Sequence, residues 1–221
     1  MSGFSWDWTF ALASVPQLLE GLQLTVALTI FGSLLAFVLG LVWMLLRLAD
    51  IPVLSSFARF FVEFVRGTPF LVQVYFLFYV TPGLGITFSA FVTGVFALAL
   101  FNSAYIAEVY RAGIEGIPAG QWEASLTLGL PVRRVWAGII LPQALRTIIP
   151  MLGNYVIVMF KETAVLSTIT VMELLAQAMD AGFLRFRFVE PLTMAAGLYF
   201  VISYASARGI RILEARNAAR A

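Results

Sequence analysis

Along this chain the hydrophobic positions come in long runs. Residues 22–46, 88–106 and 189–207 are almost wholly apolar, and each holds close to the ~20 residues that carry a helix across a hydrocarbon core. The pattern predicts about five membrane-spanning helices, over residues 18–46, 57–80, 86–110, 143–160 and 189–208. The first ends at Arg47, and Asp50 and Pro52 then open a short connection. The second is interrupted by Glu63, Arg66, Gly67 and Pro69, and a proline at that place kinks or restarts a helix. Residues 57–66 can therefore lie in the interface or begin the span. Thr81-Pro82-Gly83-Leu84-Gly85 is a turn signal without charge. Pro150 is a kink point in the fourth span, which Lys161 and Glu162 close. The longest polar stretch between spans is residues 111–134. No repeat or dividing linker is evident, so residues 1–221 read as one all-α membrane domain.

Composition agrees with the pattern. The chain is 61% hydrophobic and 12% charged, against roughly 45–50% and 25% in a soluble domain. It has no cysteine and no histidine, which removes disulfides, most zinc sites, cysteine nucleophiles and histidine acid–base chemistry. An enzyme is not expected. A net charge of +2 is too small to suggest nucleic acid. The first residues carry Asp7 and no Lys or Arg, so they lack the basic start of a cleavable leader, and the first span is expected to stay in the mature protein.

The basic residues matter by position. Alternating loops put Arg47, Arg111, Arg133, Arg134, Arg208, Arg211, Arg216 and Arg220 on one side, against Lys161, Arg185 and Arg187 on the other. By the positive-inside rule the first group is cytoplasmic. The N-terminus is then outside, the C-terminus inside, and the span count odd. Trp6, Trp8, Trp43 and Trp136 fall near span ends, where aromatic belts form.

Within residues 111–134 the sequence describes a short helix with firm ends. Pro118 suits its entry, Glu123 falls early, Gly129 offers a left-handed position after its last turn, and Pro131 prevents continuation. Roughly ten helical residues span about 15 Å, too little to cross a bilayer. Helical spacing sets Trp122, Ser125, Leu126 and Gly129 on one side and Glu123 and Thr127 on another. Spacing alone admits an interfacial helix resting on lipid headgroups as readily as one that meets a partner protein.

A resemblance separates those readings. Glu123-Ala124-Ser125, followed by Gly129 and then Ile139-Ile140-Leu141-Pro142, resembles the EAA signature of ABC importer permeases, with Ser125 where the commonest form has a second alanine. Phe64-Val65-Arg66-Gly67-Thr68-Pro69, Ala104-Tyr105-Ile106-Ala107-Glu108, Gly120-Gln121 and Lys161-Glu162-Thr163 are similar to the polar amino-acid branch of that family. The resemblance implies a type I importer permease in the cell membrane, paired with a second permease chain, docked on ABC ATPases and fed by an extracytoplasmic binding protein. It implies that Gly120, Glu123, Ala124, Ser125 and Gly129 form a cytoplasmic coupling helix. This chain would bind no cofactor: ATP and Mg²⁺ would belong to the partner ATPase, in keeping with the lack of a phosphate-cradling Gly-rich loop.

Gln73, Asn102, Ser103, Asn154 and Tyr155 are polar groups at membrane depth, where such groups line a path or bond between helices. Lys161 and Glu162 could answer the two charges of a zwitterion or anchor the helix at the interface. Glu108 with Arg111, and Glu63 with Arg66, have the spacing of local ion pairs. The expected cargo is a polar amino acid or a related small zwitterion. Phe186-Arg187-Phe188-Val189-Glu190-Pro191-Leu192-Thr193 resembles permeases for ectoine-type compatible solutes, which is the alternative. An ion-coupled secondary transporter would need buried ionisable groups and inverted repeats, and the sequence offers neither.

Overall fold

The computed structural model describes residues 5–49 and 51–218, with side chains through 215. Asp50 and Arg220 lie outside the described residues, as does the side chain of Arg216. Among the described residues every regular element is helical.

Helix α1 (Trp8–Leu48) has 41 residues and is about 60 Å long at 1.5 Å per residue, twice the ~30 Å of a hydrocarbon core. It begins ten residues before the span expected at residue 18. The Asp7 carboxylate caps it by accepting from the Phe10 N–H at 3.0 Å. Hydropathy marks where a helix is in lipid, whereas the cap marks where it starts.

Helix α2 (Pro52–Gly67) opens on a proline, and α3 (Phe70–Tyr75) continues as a π turn (Phe76–Val80) and a 3-10 turn (Thr81–Leu84). The helix path bends by 108° between the two arms, so residues 57–80 do not form one straight crossing. Thr68 is extended (φ −115°, ψ 141°), as the ring of Pro69 requires of the residue before it.

Helix α4 (Ala90–Glu115) starts at Ser89, which accepts from the Val92 N–H at 3.3 Å. It runs five residues past the expected end at 110, so Arg111 to Glu115 are helix and not loop. A short α5 (Ala119–Thr127) follows. Then α6 (Val132–Val135), a π turn (Trp136–Ile140), α7 (Leu141–Glu162) and a 3-10 turn (Thr163–Ile169) form one helical run. This run replaces the span expected over 143–160. Both π turns stand immediately before an X-Pro step. Thr81 and Leu141 donate to Phe76 and Trp136, and Pro82 and Pro142 have no N–H to give. Helices α8 (Leu174–Arg185) and α9 (Val189–Ala218) complete the chain.

Helices α1, α4 and the run Val132–Ile169 are each long and apolar enough to cross a membrane, and the bent α2–α3 pair together makes a fourth. The thirty-residue α9 has the length but carries Tyr199, Ser203, Tyr204 and Ser206 through its middle.

Helix α4 is the axis of the bundle. Against it α1 packs so closely that a Cβ on Gly40 would lie 2.6 Å from Ile106 Cγ2 and 3.1 Å from the Ser103 carbonyl. Leu28, Ala36, Leu98, Ile106, Met159 and Leu166 form the main buried cluster. Buried Glu173 ties the other end: it caps α8 through the Ala176 N–H at 2.8 Å and accepts from Tyr199 Oη of α9 at 2.6 Å and Thr25 Oγ1 of α1 at 3.4 Å.

Candidate functional site

Four polar residues of α4 stand three apart: Asn102, Tyr105, Glu108 and Arg111. Asn102, 1% exposed, donates through Nδ2 to the Leu98 carbonyl at 3.1 Å and to Glu162 Oε2 at 2.8 Å. Because the helix continues past Glu162 as a 3-10 turn, Lys161 and Glu162 do not stand at the end of the run. Glu162 meets α4 at its thirteenth residue of 26, the middle of that helix. Lys161 is exposed.

One step along, the Tyr105 and Tyr155 rings lie 6.3 Å apart. The guanidinium carbon of Arg66 stands 5.4 Å from the Tyr105 ring centroid. The structure thus joins a carboxylate, an amide, two phenol rings and a guanidinium from α2, α4 and α7.

Glu108 continues the series. Its Oε2 accepts from Arg111 at 2.8 Å, the local pair expected from spacing. Its Oε1 is bonded by Arg47 from α1 and lies 3.5 Å from Arg66 Nη1. The pair expected between Glu63 and Arg66 is replaced: Glu63 is exposed, and Arg66 turns across to α4. Sequence spacing pointed Arg66 at its own helix because the crossing of α2 over α4 is a tertiary fact. The three-residue rhythm on α4 was the available signal for Tyr105 and Glu108.

The other polar residues divide. Gln73 Nε2 donates to Thr68 Oγ1 at 2.7 Å and to the Val65 carbonyl at 2.9 Å, closing the α2–α3 corner. Ser103, buried, donates to the Leu100 carbonyl at 2.7 Å in its own helix. Asn154 is exposed, away from the Asn102–Glu162 contact.

Helix α5 has nine residues, with Pro118 as N-cap. Gly129 has φ +62°, and its N–H donates to the Leu126 carbonyl at 3.0 Å while the Leu130 N–H donates to that of Ser125 at 3.2 Å. This is the Schellman arrangement, which a glycine in the left-handed region closes without strain. Ser125 is buried, with Oγ 2.6 Å from the Gln121 carbonyl, and the Trp122 and Trp136 rings meet edge-on at 5.3 Å. Leu126 does not join that covered face. It sits about 40° round the helix from Trp122 and is 78% exposed, as Leu128 (73%) and Val132 (73%) are exposed beside it. Gly120, Glu123 and Ala124 are also exposed. The α5 surface is therefore apolar, uncovered and bordered by a carboxylate.

Residues 38–218 match the family of inner membrane components of binding-protein-dependent transport systems. The chain belongs to this family. The permease is 40% identical to a probable amino-acid ABC transporter permease of Sinorhizobium fredii, over 96% of its own length and 94% of that protein. It is 32% identical to an arginine transport system permease of Bacillus subtilis, over 89% and 90%. It superposes on a chain of a crystal structure of an amino acid ABC transporter with histidines at a TM-score of 0.92, with 34% identity over 96% of this permease and 100% of that chain. The permease is thus a multi-pass inner-membrane transport component with the all-α type I ABC importer fold. Among its described residues no three His, Cys, Asp or Glu side chains gather as a metal site would require.

Proposed function

We propose that this permease moves polar amino acids or closely related zwitterions along the polar lane of α4, driven by ATP hydrolysis on partner subunits. The observation that carries the reading is the lane itself. Glu162 offers a carboxylate to an ammonium group, Arg66 offers a guanidinium to a carboxylate, and the Tyr105 ring, paired with that of Tyr155, lies against Arg66. Arg suits the second task because its planar fork matches a carboxylate. The names of the relatives support the same cargo class. The ectoine-like segment is otherwise employed: Arg187 and Glu190 pair with one another, and Arg187 Nη2 donates to the Ser5 carbonyl at 2.7 Å while the Asp7 N–H donates to Glu190 Oε1 at 3.2 Å. Those contacts fasten the start of α1 to the start of α9.

Helix α5 is the coupling element. Glu123 meets a basic group of the ATPase, Leu126 and Leu128 fill an apolar cleft, and Gly129 sets the tight exit. ATP and Mg²⁺ are used by that ATPase. A second permease chain, identical or similar, completes the path, an extracytoplasmic binding protein delivers the cargo, and α9 is the fifth span. The N-terminus is outside and the C-terminus cytoplasmic.

The test is uptake by vesicles reconstituted with permease, ATPase and binding protein. Arg66→Gln and Glu162→Gln are each expected to raise the cargo concentration needed for half-maximal uptake at least tenfold, the loss of one charge-assisted hydrogen bond of about 1.5 kcal/mol or more. Unchanged uptake in both variants would remove the lane from the mechanism.

A further inference from the structure

The guanidinium assigned to cargo is shared. Glu108 faces three arginines, from α1, α2 and α4, and it does not hold them equally. Arg47 and Arg111 both make side-chain hydrogen bonds to it. Arg66 comes only to 3.5 Å, on the oxygen Arg47 already occupies, and its other contact is the Tyr105 ring. The Arg66 side chain is 44% exposed, whereas those of Arg47 and Glu108 are 19% and 21% exposed. Arg111 also pairs with Glu115, so three arginines meet two carboxylates with one positive charge in excess, and Arg66 is the member with the weakest tie and the most open access.

We infer that Glu108 is a positioning residue that acts as an internal competitor for Arg66, and that Arg47 and Arg111 set the strength of that competition by occupying its oxygens. This rests on the assignment of Arg66 to the cargo carboxylate. An arriving carboxylate takes Arg66 from Glu108 at little cost because Glu108 keeps its two firm partners. When the cargo leaves, Glu108 recovers Arg66, so the guanidinium is never left without a counter-charge beside the lane. Affinity for a carboxylate is thereby set by four side chains, of which only Arg66 touches the cargo.

The consequence is a pair of opposite effects. Glu108→Gln removes the competitor and leaves the positive charge, so binding of a free amino acid should tighten. Arg47→Gln or Arg111→Gln frees an oxygen of Glu108 for Arg66, so binding should weaken. Each change should be about fivefold, the worth of a partly exposed ion pair. A residue that merely held helices together would weaken binding whichever partner was lost.

The experiment is calorimetric titration of the reconstituted permease–ATPase complex, without binding protein, with the standard amino acids and the carboxamide of the tightest binder. Co-elution with the ATPase and an unchanged melting temperature qualify each variant. If Glu108→Gln does not assemble, the two arginine variants decide, since they should weaken the free acid and leave the carboxamide unchanged. Binding that weakens in all three variants, or shifts of acid and carboxamide in parallel, would overturn the inference. Arg66→Gln tests the premise separately and should abolish the preference for acid over carboxamide. If that preference persists, or no amino acid binds, the lane assignment falls and this inference with it. If the preference is abolished but the other variants fail to move binding in opposite directions, the inference alone falls.

Discussion

Asn102 Nδ2 reaches Glu162 Oε2 at 2.8 Å across the interface of α4 and α7, and this one bond puts a carboxylate at the middle of the bundle. Asn102 is buried and already donates to its own helix, so Glu162 takes its remaining donor hydrogen. The Glu162 carboxylate is thereby held in place from α4.

Asn102→Ala should therefore act through Glu162. The carboxylate loses its fixed partner, and a buried group left without one costs about 1–3 kcal/mol. Uptake should fall and the melting temperature of the detergent-solubilised permease should drop, whereas Asn102→Gln should restore part of both. Thermal unfolding alongside vesicle uptake separates the two effects.

Replacing Gly40 tests the packing of α1 on α4. Even Gly40→Ala puts a Cβ within 2.6 Å of Ile106 and 3.1 Å of the Ser103 carbonyl, and the second neighbour is backbone. Overpacking of this kind costs about 1–3 kcal/mol. The expected result is a lower melting temperature, with partial recovery in the double variant Gly40→Ala, Ile106→Ala, which removes the Cγ2 methyl that a new Cβ would meet. A stability equal to that of the parent chain would mean that the helices separate freely here.

At α5 the two substitutions that uncouple should leave the permease fold nearly untouched. A Cβ on Gly129 meets nothing within 4 Å, yet its φ is +62°, so Gly129→Val should disturb the turn and little else. Glu123→Lys reverses an exposed charge, and a misplaced like charge at an interface costs several kcal/mol. Both variants should insert normally and lose the ATPase on co-purification. Retention of the ATPase with wild-type uptake would show that α5 is not the coupling element.

Removing the buried carboxylate of Glu173 should loosen the end of the bundle where α1, α8 and α9 meet. Glu173→Ala deprives α8 of its cap, worth about 0.5–2 kcal/mol, and leaves Tyr199 Oη without its 2.6 Å acceptor. A fall in melting temperature is expected, and Tyr199→Phe in the Glu173→Ala background should recover part of it.

Topology has its own measurement. A reporter joined after Ala221 should be cytoplasmic and one placed before Trp6 extracytoplasmic, because alternating loops and the positive-inside rule assign Arg47, Arg133, Arg134, Arg208 and Arg211 to the cytoplasmic side. Both reporters on one side would exclude an odd number of crossings.

The sequence by itself determined that this is a helical membrane protein, because apolar runs of about twenty residues have no other stable disposition in lipid. It also determined the break at Pro69 and the form of α5, since proline and glycine act on the backbone within a residue or two. It could not determine where helices start and stop, because capping by Asp7 and extension through 3-10 and π turns leave hydropathy unchanged. Nor could it order the polar residues. Gln73, Ser103 and Asn154 looked equivalent to Asn102, yet Gln73 closes a corner, Ser103 bonds its own helix and Asn154 is exposed. Arg66 pointed at Glu63 on spacing alone and turned instead to Glu108 and Tyr105. Those outcomes depend on which helix faces cross, and the crossing is set by small residues such as Gly40 that let α1 lie against α4. Spacing along one helix fixes which side chains share a face; only the packing of several helices decides what that face meets.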